Sequence, residues 1–190
     1  MVSILVLYGT GEGQTAKVAE TIAEALEERG HEATVTDVAA ESGSVDVDEF
    51  DAVLVGASIH VGKQQAAIRT FVTERRDALE SCPTGFFQVS LSSATDDEAQ
   101  RAEAAGYVDA FVEETGWQPD RVGLFGGALR YSKYGFLKRL VMKRIAKEAT
   151  GDTDTARDYE YTDWEEVETF ANDFAAFVEG RLGVAPPSSE

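Results

Sequence analysis

Basic charge is scarce in this chain: 17 lysines and arginines stand against 35 acids, a net charge of −18 over 190 residues. A surface this acidic repels phosphate backbones, which excludes general nucleic-acid binding. Lysine is the scarcer cation, six against eleven arginines, and acid excess with little lysine is the composition expected of adaptation to high salt. Cysteine is scarcer still. Cys82 stands alone, which rules out an internal disulfide, a thiolate metal cluster and a CxxC redox pair. Its place before Pro83 suits a structural role. No apolar run approaches the roughly 20 residues that cross a bilayer. The chain opens on a strand pattern, with no charged start, apolar h-region or cleavage site. The expectation is a cytoplasmic protein without a transmembrane helix.

What is present is concentrated first in residues 2–15, VSILVLYGTGEGQT. Ile4 to Leu7 form an apolar run that predicts a buried strand. Thr10-Gly11-Glu12-Gly13-Gln14-Thr15 follows, directly before an amphipathic helical pattern. Such a strand–loop–helix unit aims backbone N–H groups and a positive helix end at one point, which suits an anion. The glycines let backbone approach closely, and the Thr10 and Thr15 hydroxyls can donate to phosphate oxygens. A Walker loop needs Lys then Ser or Thr after its last glycine, and Gln14-Thr15 stands there. The dinucleotide fingerprint fails too, because Ala16 takes its third glycine and no ribose-binding acid closes the next strand. With no lysine and no evident magnesium ligand, the loop suits a monophosphate held by neutral donors. FMN is the commonest such cofactor on this architecture. A plain turn into a helix is the alternative reading of the segment alone.

Hydrophobic residues make up 43% of the chain, ordinary for a folded domain with a full core. Residues 1–182 are expected to form one domain, with 183–190 a polar Pro/Ser tail. Strand and helix patterns alternate throughout. A helix over Gln14 to Arg29 ends at Gly30, and Glu32 to Asp37 alternates as a second strand. Ala52 to Gly56 is a short, wholly apolar third strand, as in the middle of a parallel sheet. A helix from about Gln64 to Leu79, a strand from Gly85 to Ser90, a helix capped by Thr95 and Glu98 and a strand from Arg121 to Gly127 complete the series. Thr162 with Glu165 predicts a second capping box, opening a last helix whose Trp164, Val167, Phe170, Phe174 and Phe177 face the core.

Five strands with intervening helices mean an α/β doubly wound parallel sheet. In the flavodoxin-like order 2-1-3-4-5, ligands lie beyond the carboxyl ends of strands one and three. Three loops should converge there: Thr10–Thr15, Ala57–Gly62 and Ser90–Ala94. The latter two are rich in small and hydroxyl residues, which let amides reach a flat ring system. A phosphoacceptor receiver on the same fold needs an Asp at the end of strand three, where Gly56-Ala57-Ser58 stands.

The scarce cations are not evenly spread. Arg130, Lys133, Lys138, Arg139, Lys143, Arg144 and Lys147 lie within 18 positions that contain no acid, in an insertion of about 130–160 after strand five. From Phe136 to Ala149 the apolar positions Phe136, Leu137, Leu140, Val141, Ile145 and Ala149 fall on one helical face. Such a helix over 136–149 suits an anionic membrane surface or a small carboxylate-bearing substrate. The alternative is an ordinary surface helix whose apolar side joins the core.

Taken together, these landmarks resemble the FMN-dependent, quinone-linked protoporphyrinogen IX dehydrogenases of haem biosynthesis, members of the flavodoxin-like superfamily. The resemblance reaches from the N-terminus to about Phe177. Thr10 to Thr15 resembles the flavodoxin pattern T-x-T-G-x-T, with the family's acid and Gly-Gln-Thr. Gly56-Ala57-Ser58-Ile59 is similar to its flavin-ring loop. Three further motifs are more specific: Gly127-Ala128-Leu129-Arg130-Tyr131, Gly151-Asp152-Thr153-Asp154-Thr155 and Tyr161-Thr162-Asp163-Trp164. His60 and Val61 depart from the pattern, where an Arg and a Tyr are expected.

The resemblance implies oxidation of protoporphyrinogen IX to protoporphyrin IX in three two-electron steps, with a membrane quinone as acceptor. FMN would sit with its phosphate on Thr10, Gly11, Glu12, Gly13, Gln14 and Thr15. Its ring would lie between Ala57, Ser58, Ile59 and Ser90, Leu91, Ser92, Ser93. Arg130 and Lys133 are the candidates for the substrate propionates. No side chain is expected to act as catalytic acid or base, since the cofactor carries the chemistry, and no metal is expected. Two alternatives remain: a flavodoxin-type electron carrier without its own substrate, and a flavin-free interaction module.

Overall fold

The computed structural model describes residues 1–41, 45–131, 135–152 and 154–185, the side chains of residues 41, 136 and 137 excepted. Its centre is a parallel sheet of β1 (Ser3–Gly9), β2 (Glu32–Asp37), β3 (Ala52–His60), β5 (Thr84–Ser90) and β6 (Arg121–Gly126) in the order β2-β1-β3-β5-β6. This is the expected order, with the two-residue β4 (Lys63–Gln64) folded back antiparallel on the end of β3. Strand alternation sorts the core into two layers. Ile4 and Val6 of β1 face α1 (Gln14–Glu28) and α7 (Trp164–Leu182), against Val18, Ile22, Phe174 and Val178. Leu5 and Leu7 face Ile68, Phe71, Leu79, Val108, Phe111 and Trp117. These come from α3 (Ala66–Glu74), α4 (Arg76–Ser81) and the segment around α5 (Glu98–Thr115). Each such fully buried side chain contributes about 1.5–3 kcal/mol. The short α2 (Val38–Glu41) and a 3₁₀ turn at Val47–Glu49 line the connection from β2 to β3.

Four expectations are corrected. The helix placed over residues 64–79 is two helices, α3 and α4, broken at Arg75, whose backbone leaves helical geometry (φ −107°, ψ 13°). The third strand runs on to His60 because β4 pairs its end through Ile59 with Gln64 and His60 with Lys63. Asp97, not Thr95, caps α5, its Oδ1 accepting from the N–H groups of Ala99 and Gln100. Asp163, not Thr162, caps α7 in the same way.

After β6 the chain forms β7 (Ala128–Leu129), the basic helix α6 (Phe136–Ala149) and β8 (Tyr159–Glu160), with β7 and β8 pairing antiparallel. Leu129, Tyr131 and Ala146 make a small core of their own, against which Leu91, Met142, Tyr159 and Tyr161 pack. The apolar face expected on α6 does not join the main core: Leu140, Val141 and Ile145 are 52%, 58% and 42% exposed. Residues 186–190 of the expected tail and Thr153 of the turn motif lie outside the described residues. Among the described residues no helix is long and apolar enough to cross a membrane.

Candidate functional site

The loop between β1 and α1 lies at the carboxyl end of the sheet, where strand order reverses. Thr10 Oγ1 accepts from the Gly13 N–H at 2.9 Å, curling the loop into a turn. Gly13 precedes the helix with φ 95°, a left-handed conformation that favours glycine, and no side chain caps the helix. No acid occupies the first turn of α1, so its positive end is not countered from within the helix. Gln14 and Thr15 are buried. Among the described residues the Thr15 hydroxyl finds no hydrogen-bond partner. An unpartnered buried hydroxyl costs roughly 1–3 kcal/mol, and at an open helix N-terminus it is a donor suited to an incoming anion. The donor set of backbone amides and hydroxyls, with no lysine, fits a phosphate monoester.

The second predicted segment is strand rather than loop. Ala57 is fully buried in the sheet between Gly9 and Gln88. Beyond it Ser58, Ile59 and His60 become progressively accessible. Ser58 is held by Gln65: its N–H donates to Gln65 Oε1 at 3.1 Å, and its hydroxyl accepts from Gln65 Nε2. The His60 ring lies over the loop of residues 10–15, so that a Cβ on residue 11 would fall 2.2 Å from Nε2 and displace the ring. The tip after His60 is a tight turn with both central residues at positive φ, Val61 at 50° and Gly62 at 76°.

The third segment is a turn after β5. Ser90 Oγ and Ser93 Oγ are 2.8 Å apart, and the Ser93 N–H donates to Ser90 Oγ. Ser92 donates to Glu103 Oε2 at 2.9 Å, and Leu91 packs toward Leu129 and Tyr131. A surface groove of about 470 Å³ opens instead along β6, lined by Val122, Phe125, Phe170 and Asp173, and meets the predicted residues only at Ser93.

The insertion is tied to the loop between β1 and α1 by contacts that local sequence reading missed. Arg130 Nη2 donates to Gln14 Oε1 at 2.8 Å and to Glu160 Oε2 at 2.9 Å. Lys17 donates to the same Glu160 oxygen at 3.1 Å. Burial would raise the Glu160 carboxyl, but these hydrogen bonds outweigh it and hold its pKa below the usual value. Gln14 Nε2 donates to Thr162 Oγ1 at 2.8 Å, and that hydroxyl donates onward to the Gly126 carbonyl at 2.7 Å. On the other side of the loop, Lys138 Nζ of α6 donates to Glu12 Oε1 at 2.8 Å. Arg130 is thus paired with Glu160, and a substrate carboxylate would have to exchange with it. Lys133 lies outside the described residues. The available signal was charge: an acid inside an anion loop, in a chain whose cations cluster elsewhere, calls for a cation from that cluster.

The sheet order and the loop after its first strand define a doubly wound protein of the flavodoxin-like class. A family model described as Flavodoxin domain matches residues 5–156. Protoporphyrinogen IX dehydrogenase (quinone) of Escherichia coli strain K12 is 36% identical over 171 residues, covering 90% of this chain and 93% of that protein. The protein of the same name from Leishmania major is 36% identical over 173 residues, 90% of this chain and 74% of that one. Among solved structures, a short-chain flavodoxin associated with a bacterial microcompartment superposes with a TM-score of 0.58 at 16% identity. It covers 94% of this chain and 99% of its own. The chain belongs to the flavodoxin-domain family and, within it, to the protoporphyrinogen IX dehydrogenases.

Proposed function

We propose that this protein binds FMN and oxidises protoporphyrinogen IX to protoporphyrin IX, with a membrane quinone as electron acceptor. The observation that carries the cofactor half is the buried Thr15 hydroxyl, without a hydrogen-bond partner among the described residues, at the start of α1, which no side chain caps there. The relatives' names carry the substrate and acceptor. FMN, when bound, supplies the redox chemistry. The chain's own part is to hold and to orient. Thr10 shapes the turn, Gly11 and Gly13 admit close backbone approach, and Thr15 donates to the phosphate. Ser58, Ile59 and the Ser90–Ser93 turn supply the walls for the ring. Arg130 and Lys133 are assigned to the propionates. Arg130 can accept a carboxylate in exchange for Glu160, which keeps Lys17 as a partner.

The acceptor dissolves in a bilayer, and α6 supplies a means to approach one. Leu140, Val141 and Ile145 stand exposed beside Lys143, Arg144 and Lys147, an arrangement that favours an anionic membrane surface at about 1 kcal/mol per cation. Anaerobic mixing of the flavin-loaded protein with protoporphyrinogen should bleach the flavin, and a quinone should restore its colour. Bleaching by a flavodoxin reductase but not by the porphyrinogen would identify an electron carrier instead. Its acidic surface would then serve to steer it toward basic partners.

A further inference from the structure

An acid in a phosphate loop is an electrostatic contradiction. Glu12 sits between the two glycines of the loop, its side chain only 16% exposed, where a phosphate monoester brings nearly two negative charges. Partly withdrawn from water, such like charges repel more strongly than they would in bulk solvent. The fold places Lys138 Nζ against this carboxylate at 2.8 Å, across 126 residues of sequence. Lys138 is the first cation of α6 and half-exposed; Arg139 turns inward to donate to the Tyr131 carbonyl at 2.9 Å, and Lys143, Arg144 and Lys147 are exposed. A second tie, Arg130 with Gln14 and Glu160, fixes the base of the insertion to the first turn of α1. The insertion therefore grips the loop from two sides.

We propose that Lys138 is a positioning residue of the phosphate site: by neutralising Glu12 it lets an acid-bearing loop accept a dianion, and it thereby links docking of α6 to occupancy of the loop. The inference rests on the FMN reading above and deepens it. Linkage is reciprocal, so a filled loop holds α6 down by the same factor that a docked α6 tightens phosphate binding. The device differs from a P-loop lysine. Lys138 lies outside the loop, and its task is to cancel a neighbouring charge.

The test is a double-mutant cycle on the whole chain, stripped of flavin and titrated with FMN and with riboflavin, which lacks the phosphate. Lys138→Met should weaken FMN about tenfold, equivalent to about 1.4 kcal/mol, and riboflavin by less than twofold. Adding Glu12→Gln should restore FMN binding to within about twofold of Glu12→Gln alone. In a parallel measurement, FMN should slow tryptic cleavage at Lys143, Arg144 and Lys147 in the wild type and lose that effect in the double variant. Equal weakening of FMN and riboflavin by Lys138→Met would overturn the proposal. So would a double variant as weak as Lys138→Met, since Lys138 would then act on the phosphate without Glu12. A wild type that takes up neither flavin removes the FMN reading itself. Uptake with one dissociation constant across all four proteins removes only this inference.

Discussion

The two ends of α1 handle polar groups in opposite ways. At its C-terminal end Arg29 donates through Nε and Nη2 to the two oxygens of Glu179, at 2.7 and 2.8 Å, and His31 Nε2 lies 2.9 Å from the same carboxylate. A carboxylate only accepts, so Nε2 carries the hydrogen. Glu179 is 4% exposed and matched on both oxygens. At the N-terminal end the Thr15 hydroxyl is equally buried and has no hydrogen-bond partner among the described residues. The Glu179 carboxylate ties one end, the closed one, into the fold, where His31 Nδ1 also lacks a partner among the described residues. The other, open end is the one proposed to take a ligand. The same helix therefore separates what holds the fold from what serves the site, and the two can be broken independently.

The largest effect expected is at the closed end. Glu179→Ala leaves the Arg29 guanidinium and the buried His31 ring without their acceptor, and should destabilise the protein by about 3 kcal/mol. Urea unfolding measures it. Flavin affinity of the folded fraction should stay within about twofold, since no group near the loop is touched. The same cluster sets an acid limit. The hydrogen bond from Arg29 chiefly, against the opposing effect of burial, holds the Glu179 pKa below its ordinary value. A carboxylate depressed in the folded state contributes stability that is full above the unfolded pKa, about 4.3. That stability is lost as pH falls through the lower folded value. Glu179→Gln should flatten this part of the stability profile below about pH 4.

The open end should answer with the opposite sign. Thr15→Val keeps the shape and removes a buried hydroxyl that has no partner among the described residues, so the flavin-free protein should gain up to about 1 kcal/mol. FMN affinity should fall about tenfold, one lost charge-assisted hydrogen bond, with riboflavin nearly unaffected. A variant that loses stability and keeps its FMN affinity would show that both ends of α1 serve the fold alone.

How far each end was legible in the sequence follows from the range of its interactions. The sheet order could be read because each central strand is an apolar run buried on both faces, and the strand–loop–helix turn after β1 because its residues are contiguous. Glu179 reaches back across about 150 residues to Arg29 and His31, and no local pattern marks such a pair. Lys138 and Glu12 are equally remote. The break at Arg75 was hidden because Ile68, Phe71, Val72 and Leu79 are all buried on either side of it, so the periodicity runs through. The caps were misplaced for a nearer reason. The stretches around Thr95 and Thr162 each offer a hydroxyl and an aspartate within two positions. Thr162 is drawn off to Gly126 and Gln14, leaving Asp163 to cap.

The smallest effect expected is at the turn beyond His60, on the open side. Val61 holds φ 50° with its side chain fully exposed. A β-branched residue is a steric outlier in this region, and no packing compensates for the strain. Asn tolerates the left-handed conformation and, before Gly62, makes the favoured pair for a turn of this kind. Val61→Asn should therefore raise stability by about 1 kcal/mol, read as a shift in urea midpoint with an unchanged slope. The neighbouring His60 ring lies against Gly11, so FMN affinity reports whether the strain is used. Affinity unchanged within twofold assigns the strain to the turn alone. A severalfold loss would mean that the open end keeps its valine to hold His60 over the loop, and the closed end of α1 offers no counterpart to that arrangement.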